Sequence, residues 1–254
     1  MLLLHRLTSF FLVFAVALSL SVLFLFPSFA FLILGILLLV VALLYARLLV
    51  WEYRTGAFWV FLGIPILFLF SGFLLILFLE SDYAKWVVIS VLLFFPFLFT
   101  EYVFLYRHIP TTYRPYAIEY LALVLNLLTF FALMSVGYGL RLFLQVHLFL
   151  LIISCFLLVL FLLFSIYWVS KIDWLRARPY VIGGTILVTE CFTASLFLPT
   201  SLFTSAAMMC VLLYLYIGMT RAELLKKLTV SIARRYLLAA SLFLLLLIVT
   251  TPWV

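Results

Sequence analysis

The chain has 254 residues, 70% of them hydrophobic and 9% charged, with a net charge of +7 and a mean hydropathy of +1.46. A soluble domain is about half apolar and about a quarter charged, and one of this size cannot hide so much apolar surface from water. Lipid is therefore the solvent for most of the chain. In lipid only helices and closed barrels satisfy the backbone, and apolar runs of about 20 residues without period-two alternation select helices.

The first apolar run, inside "MLLLHRLTSFFLVFAVALSLSVLFLF", exceeds the apolar core of a secretory signal peptide and is followed at once by another, so it reads as an uncleaved helix. Nine spans are expected in all, at 7–26, 29–50, 57–79, 86–106, 116–136, 142–169, 180–198, 202–219 and 236–252, forming one integral membrane domain over 1–254. Pro27-Ser28 and Pro199-Thr200 mark tight turns that divide apolar stretches too long for a single crossing.

Pro65 and Pro96 interrupt the third and fourth spans. Each removes an N–H and frees a carbonyl one turn earlier. Such breaks line substrate sites in some transporters and are ordinary kinks elsewhere. The loop "RHIPTTYRPYA" after the fourth span carries Arg107, His108 and Arg114, with Glu101 before it and Glu119 after it. This set reads either as carboxylates paired with loop arginines, holding two helix ends together, or as a small inner-side pocket for an anionic headgroup or substrate. Deeper in the fifth span lies Asn126; Gln145 and His147 follow near the opposite surface.

"RPYAI" at Arg114 to Ile118 recurs as "RPYVI" at Arg178 to Ile182. With Pro115 and Pro179 at the first helical position, the pair fits either a duplicated hairpin or the common recurrence of helical hairpins at this length. The second copy opens "LVTECFTAS", where Glu190 sits 12 residues past Arg178, roughly 18 Å into the bilayer. Gly183, Gly184, Thr185, Thr189, Cys191, Thr193 and Ser195 surround it. Small and hydroxylated residues favour helix–helix contact over lipid, which places Glu190 inside the bundle. There it is either a proton- or cation-binding carboxylate or a hydrogen-bonded packing residue beside Asn126, Thr189 or Thr193.

The one long polar stretch is "TRAELLKKLTVSIARRY". Thr220 and Glu223 match a capping box, so a helix is expected to start there. The segment 220–235 is expected to lie on the inner surface, with Lys226, Lys227, Arg234 and Arg235 meeting anionic lipid or a docking partner.

With the N-terminus inside, 13 of the 15 basic residues fall on inner segments and only Lys85 and Arg141 on outer ones, which puts the C-terminus outside. Trp51, Trp59, Trp168 and Trp174 then fall near inner boundaries, and Trp86 and Trp253 near outer ones. The net charge is thus accounted for by topology, without a nucleic-acid partner. Cys155, Cys191 and Cys210 lie within spans without metal spacing, and His5, His108 and His147 form no recognised motif. No nucleophile elbow or Walker loop occurs. The expectation is an all-α, polytopic helical membrane bundle with no catalytic residues, metal or cofactor, most naturally in a prokaryotic cytoplasmic membrane. Three functions stay open: non-enzymatic handling of a small solute, ion or lipid at a midplane site; a structural or assembly subunit, with a membrane-protein partner or a second copy; and an intramembrane enzyme on a lipid-like substrate.

Overall fold

The computed structural model describes residues 6–111 and 113–250, so His5 and Trp253 lie outside the described residues. It is 85% helical and contains no strand among the described residues. The helices are α1 (Thr8–Leu25), α2 (Ala30–Leu48), α3 (Gly56–Phe78), α4 (Asp82–His108), α5 (Ala117–Leu144), α6 (Leu148–Val169), α7 (Trp174–Ser195), α8 (Leu202–Leu224) and α9 (Val230–Thr250). Eight of these nine are long and apolar enough to cross a membrane. The protein is an integral, multi-pass, all-α membrane protein. The ninth is α7, whose Arg176, Arg178 and Glu190 lower its apolar content.

Several ends differ from the sequence expectation. The fifth helix runs through Gly137, Gly139 and Arg141 to Leu144, so the expected break moves to 145–147, where His147 caps α6 by accepting the Phe149 N–H. The proline repeat is not a structural repeat. Pro115 precedes α5 at a turn where Tyr116 is left-handed (φ 67°), whereas Pro179 lies inside α7, six residues into the helix. The capping box is absent too. Thr220 is an interior residue of α8, its hydroxyl turned back to the Tyr216 carbonyl, so 220–235 splits into the end of α8, a short turn and the start of α9.

Three helices stop in the same way. After α2, α6 and α8 a left-handed residue (Val50, Lys171, Lys226) lets the next N–H reach back five residues, from Trp51 to Ala46, Ile172 to Tyr167 and Lys227 to Ala222. Glycine usually holds that position, because a side chain there costs about 1–2 kcal/mol. With valine and lysine in its place, the sequence gives no glycine stop signal.

The chain forms two compact units, 1–126 and 127–254. In the first, α1 packs on α2, α2 on α3, α3 on α4 and α4 back on α1, closing a four-helix arrangement. Gly72 of α3 lets Leu92 of α4 come so close that an added Cβ would lie 2.3 Å from its Cδ2. The buried Tyr45 hydroxyl meets Thr100 at 2.7 Å, and Thr100 donates to the Pro96 carbonyl at 2.7 Å. Removing the two hydroxyls is expected to have unequal effects. Tyr45→Phe leaves Thr100 its carbonyl and costs about 0.6 kcal/mol, near the average for such bonds in lipid. Thr100→Val strands the Tyr45 hydroxyl in the core and costs about 2 kcal/mol. Reversible unfolding in mixed micelles measures both; equal losses would refute this ordering.

In the second unit, α6, α7, α8 and α9 pack in succession. The later part of α5 reaches α7 through Tyr138, whose hydroxyl is 2.5 Å from that of Ser195 and whose ring lies 5.2 Å from Phe192. Only Ala240 of α9 is buried.

Candidate functional site

The period of α7 decides what Glu190 meets. Ala177, Val181, Gly184, Thr185, Val188, Thr189 and Phe192 are buried and recur at helical spacing, so they form the face covered by neighbouring helices. Ile182, Gly183, Ile186, Leu187, Glu190 and Ala194 are exposed and form the opposite face. The expectation that Glu190 points into the bundle is therefore not met. The glycines and threonines that suggested it divide between the two faces.

The hydroxyls of α7 do not serve Glu190 either. Thr185 donates to the Val181 carbonyl, Thr189 to Thr185, Thr193 to Glu190 itself and Ser195 to Phe192, each at 2.7 Å. This back-bonding satisfies each hydroxyl's own proton within the helix, although Ser195 also meets Tyr138 of α5. Thr189 is buried and faces Cys155 of α6, while Thr193 is half-buried. The Glu190 carboxylate makes no hydrogen bond or ion pair among the described residues. Asn126, its expected companion, is buried in α5 and belongs to the first unit, whereas Glu190 belongs to the second.

Sequence gave no warning of the contacts that hold the covered face of α7. The Tyr216 ring of α8 lies against Gly184, where an added Cβ would be 2.3 Å from Cε1. Its hydroxyl donates to the Tyr180 carbonyl at 2.6 Å. One helix further on, the Tyr236 ring of α9 lies on Gly218 of α8 in the same way, at 2.4 Å from a Cβ position. Tyr167 of α6 meets Thr220 at 2.5 Å. Each glycine is a seat for the next helix's ring, and the only sequence sign was glycine within helices rich in tyrosine.

Of the residues expected to cluster at the inner side, Glu101 and Arg107 take partners from other parts of the first unit. Glu101 accepts from the Ser9 hydroxyl at 3.0 Å and pairs with Arg6 at 3.8 Å, so its cation comes from the start of the chain and not from the loop. Arg107 pairs with Glu52 from the α2–α3 turn. His108 stacks on Phe104 with ring centres 5.2 Å apart. Glu119 acts on Tyr113, whose hydroxyl accepts the Ile118 N–H at 3.2 Å. Burial is the largest influence on the Tyr113 phenol and pushes it above its ordinary range; the Ile118 N–H opposes that, and Glu119 adds to it. Arg114 is exposed; its carbonyl accepts the Ala117 N–H at 3.3 Å, and its side chain makes no hydrogen bond or ion pair among the described residues. The ion pairs of Glu101 and Arg107 join helix ends, with different partners from those expected.

Pro65 and Pro96 are both buried within their helices. Lys226, Lys227, Arg234 and Arg235 are all exposed. Among the described residues, no group of three His, Cys, Asp or Glu side chains is placed to hold a metal ion. Comparisons with protein-family models, with curated proteins and with solved structures find no match to this chain.

Proposed function

We propose that this chain is a non-enzymatic membrane protein that handles a small ion or solute, with Glu190 as the binding group. The observation that carries this is a carboxylate on the exposed face of α7, roughly 18 Å past Arg178, with no hydrogen-bond or ion-pair partner among the described residues. Lipid cannot be its natural neighbour at that depth, because an ionisable group facing hydrocarbon costs several kcal/mol. Water, an ion or another polar group has to meet it. In this reading α7 crosses the membrane as the ninth span, the basic loops lie on the inner side of a prokaryotic cytoplasmic membrane, and the exposed Lys226, Lys227, Arg234 and Arg235 face its anionic lipid.

A second reading is a docking face for another membrane helix, as in an assembly subunit. Gly183 favours it: no atom lies within 4 Å of the Cβ it lacks, so the exposed face has room for close approach.

Thiol labelling separates the two. Cys191, the half-buried neighbour of Glu190, is kept while Cys155 and Cys210 are replaced by alanine. A membrane-impermeant reagent is expected to label it from one side of oriented vesicles, and Glu190→Gln to slow that labelling by removing the carboxylate that meets water there. Absence of labelling from either side, with Glu190→Gln folding normally, would reject the ion-handling reading.

A further inference from the structure

We infer that the second unit holds an anionic phospholipid at a defined place, its phosphate on the cations of the α8–α9 turn and an acyl chain along the exposed face of α9. This deepens the anionic-lipid contact proposed above and does not depend on Glu190. Charge is shared unevenly along the chain. Residues 1–126 carry six basic and five acidic side chains, and residues 127–254 carry nine and three. In the first unit Arg6, Lys85 and Arg107 are paired with Glu101, Asp82 and Glu52. In the second, Arg176, Arg178, Lys226, Lys227, Arg234 and Arg235 are exposed, and their side chains make no hydrogen bond or ion pair among the described residues. Of the acids there, Glu223 is engaged by the Tyr180 hydroxyl and Glu190 lies 12 residues past Arg178, which leaves Asp173 against these cations.

Helix packing gathers the cations at one end of the unit. Gly184 meets Tyr216 and Tyr180 meets Glu223, so α7 and α8 run antiparallel, and Arg176 and Arg178 lie beside the end of α8. Gly218 meets Tyr236 in the same way, which sets Arg234 and Arg235 of α9 beside the last turns of α8, with Lys226 and Lys227 in the turn between. At 1.5 Å per residue Arg235 and Lys227 differ in depth by about 12 Å, a span that two long side chains close around one phosphate. Charge alone fits any anionic partner; the surface beside it selects an amphiphile. Arg235 shares a face of α9 with Leu238, Leu242, Leu245 and Val249, all exposed and spaced by three or four residues. This stripe runs about 21 Å, more than the about 15 Å of one hydrocarbon leaflet, so a chain lying on it keeps its phosphate at Arg235 and the turn. An acidic peptide or a nucleic acid would leave the stripe uncovered. The exposed Trp174 at the start of α7 stands at the same end, and an indole prefers the headgroup layer.

Native mass spectrometry tests this on the full chain, taken into mild detergent from phosphatidylcholine vesicles that contain a minor share of phosphatidylglycerol. Phosphatidylglycerol is expected to stay bound, enriched several-fold over its share in the vesicle. Combining Lys226→Gln, Lys227→Gln and Arg235→Gln should abolish that enrichment. Combining Arg47→Gln, Arg54→Gln and Arg114→Gln removes as many exposed charges from the first unit and should leave it in place. Glycerol phosphate and inorganic phosphate, which lack an acyl chain, should not displace the lipid; displacement by either would overturn the lipid assignment. Equal loss in the two triple variants would overturn the defined site and leave a diffuse lipid contact standing. Absence of enrichment in the unaltered chain would remove that contact too, whereas the Glu190 reading stands or falls on the labelling of Cys191.

Discussion

Gly184→Val is expected to cost the folded protein about 3 kcal/mol, toward the upper end for overpacking a filled contact. Even the first carbon of the new side chain would lie 2.3 Å from the Tyr216 ring. The ring cannot swing away freely, because its hydroxyl holds the Tyr180 carbonyl at 2.6 Å. Moving it loses that bond as well as the packing, a loss only partly offset by valine's better helix propensity, worth a few tenths of a kcal/mol over glycine. Reversible unfolding in mixed micelles reads the loss. A double mutant cycle then isolates its cause: Gly184→Val with Tyr216→Ala should recover more than half of the cost, since the smaller side chain makes room. Simple additivity of the two changes would show that the glycine is not a seat for the tyrosine.

The equivalent change one helix later should act locally. Gly218→Val displaces Tyr236, which also lies 5.7 Å from the Tyr214 ring and is the main anchor of α9. Apart from Ala240, α9 buries nothing that could compensate. The expected result is release of α9 from α8 by about 1.4 kcal/mol or more, with the remaining helices intact. A loss of that size raises the open population tenfold, so tryptic cleavage at Lys226 and Lys227 in the connecting turn should rise about as much. Tyr236→Ala should reproduce the effect without the clash. Unchanged cleavage in both variants would mean that α9 is held by something other than this ring.

The sequence was read correctly where lipid imposes one solution. Long apolar runs must be helices, and each expected span overlaps a helix among the described residues, eight of them long and apolar enough to cross a membrane. It was less informative about where helices end. Trp174, Arg176 and Arg178 look like loop but continue α7, because a helix carries interfacial residues without leaving its backbone pattern. Val50, Lys171 and Lys226 stop helices in the position normally given away by glycine. Thr220 and Glu223 have capping-box spacing, yet the spacing has meaning only if the preceding turn is not helical, and here it is.

The candidate site was legible in its residues more than in its contacts. Glu190 stands out in any reading because a carboxylate within an apolar segment is rare. Its orientation depended on which face of α7 the neighbours cover, and the mixture of threonines and glycines on that helix did not reveal it. For Glu101 the partner was Arg6, 95 positions earlier, brought near by the packing of α1 on α4. Local charge patterns favour neighbours in sequence, so the loop arginines looked more natural. The ring-on-glycine seats join separate helices, and nothing in one helix's pattern announces the tyrosine of another.

The inward-turned hydroxyls of α7 also bear on how the nascent chain enters the bilayer. Thr185, Thr189, Thr193 and Ser195 are satisfied by their own helix before any neighbour has been synthesised. The segment therefore brings to the insertion machinery one unmet carboxylate, Glu190, five residues before its end, besides Arg176 and Arg178 near its start. The far more apolar α6 precedes it, joined by the tight turn at Lys171. The two leave the ribosome within about 50 residues of each other, and α6 can carry α7 across as a hairpin, so a helix too polar to insert by itself is delivered by the one made just before it.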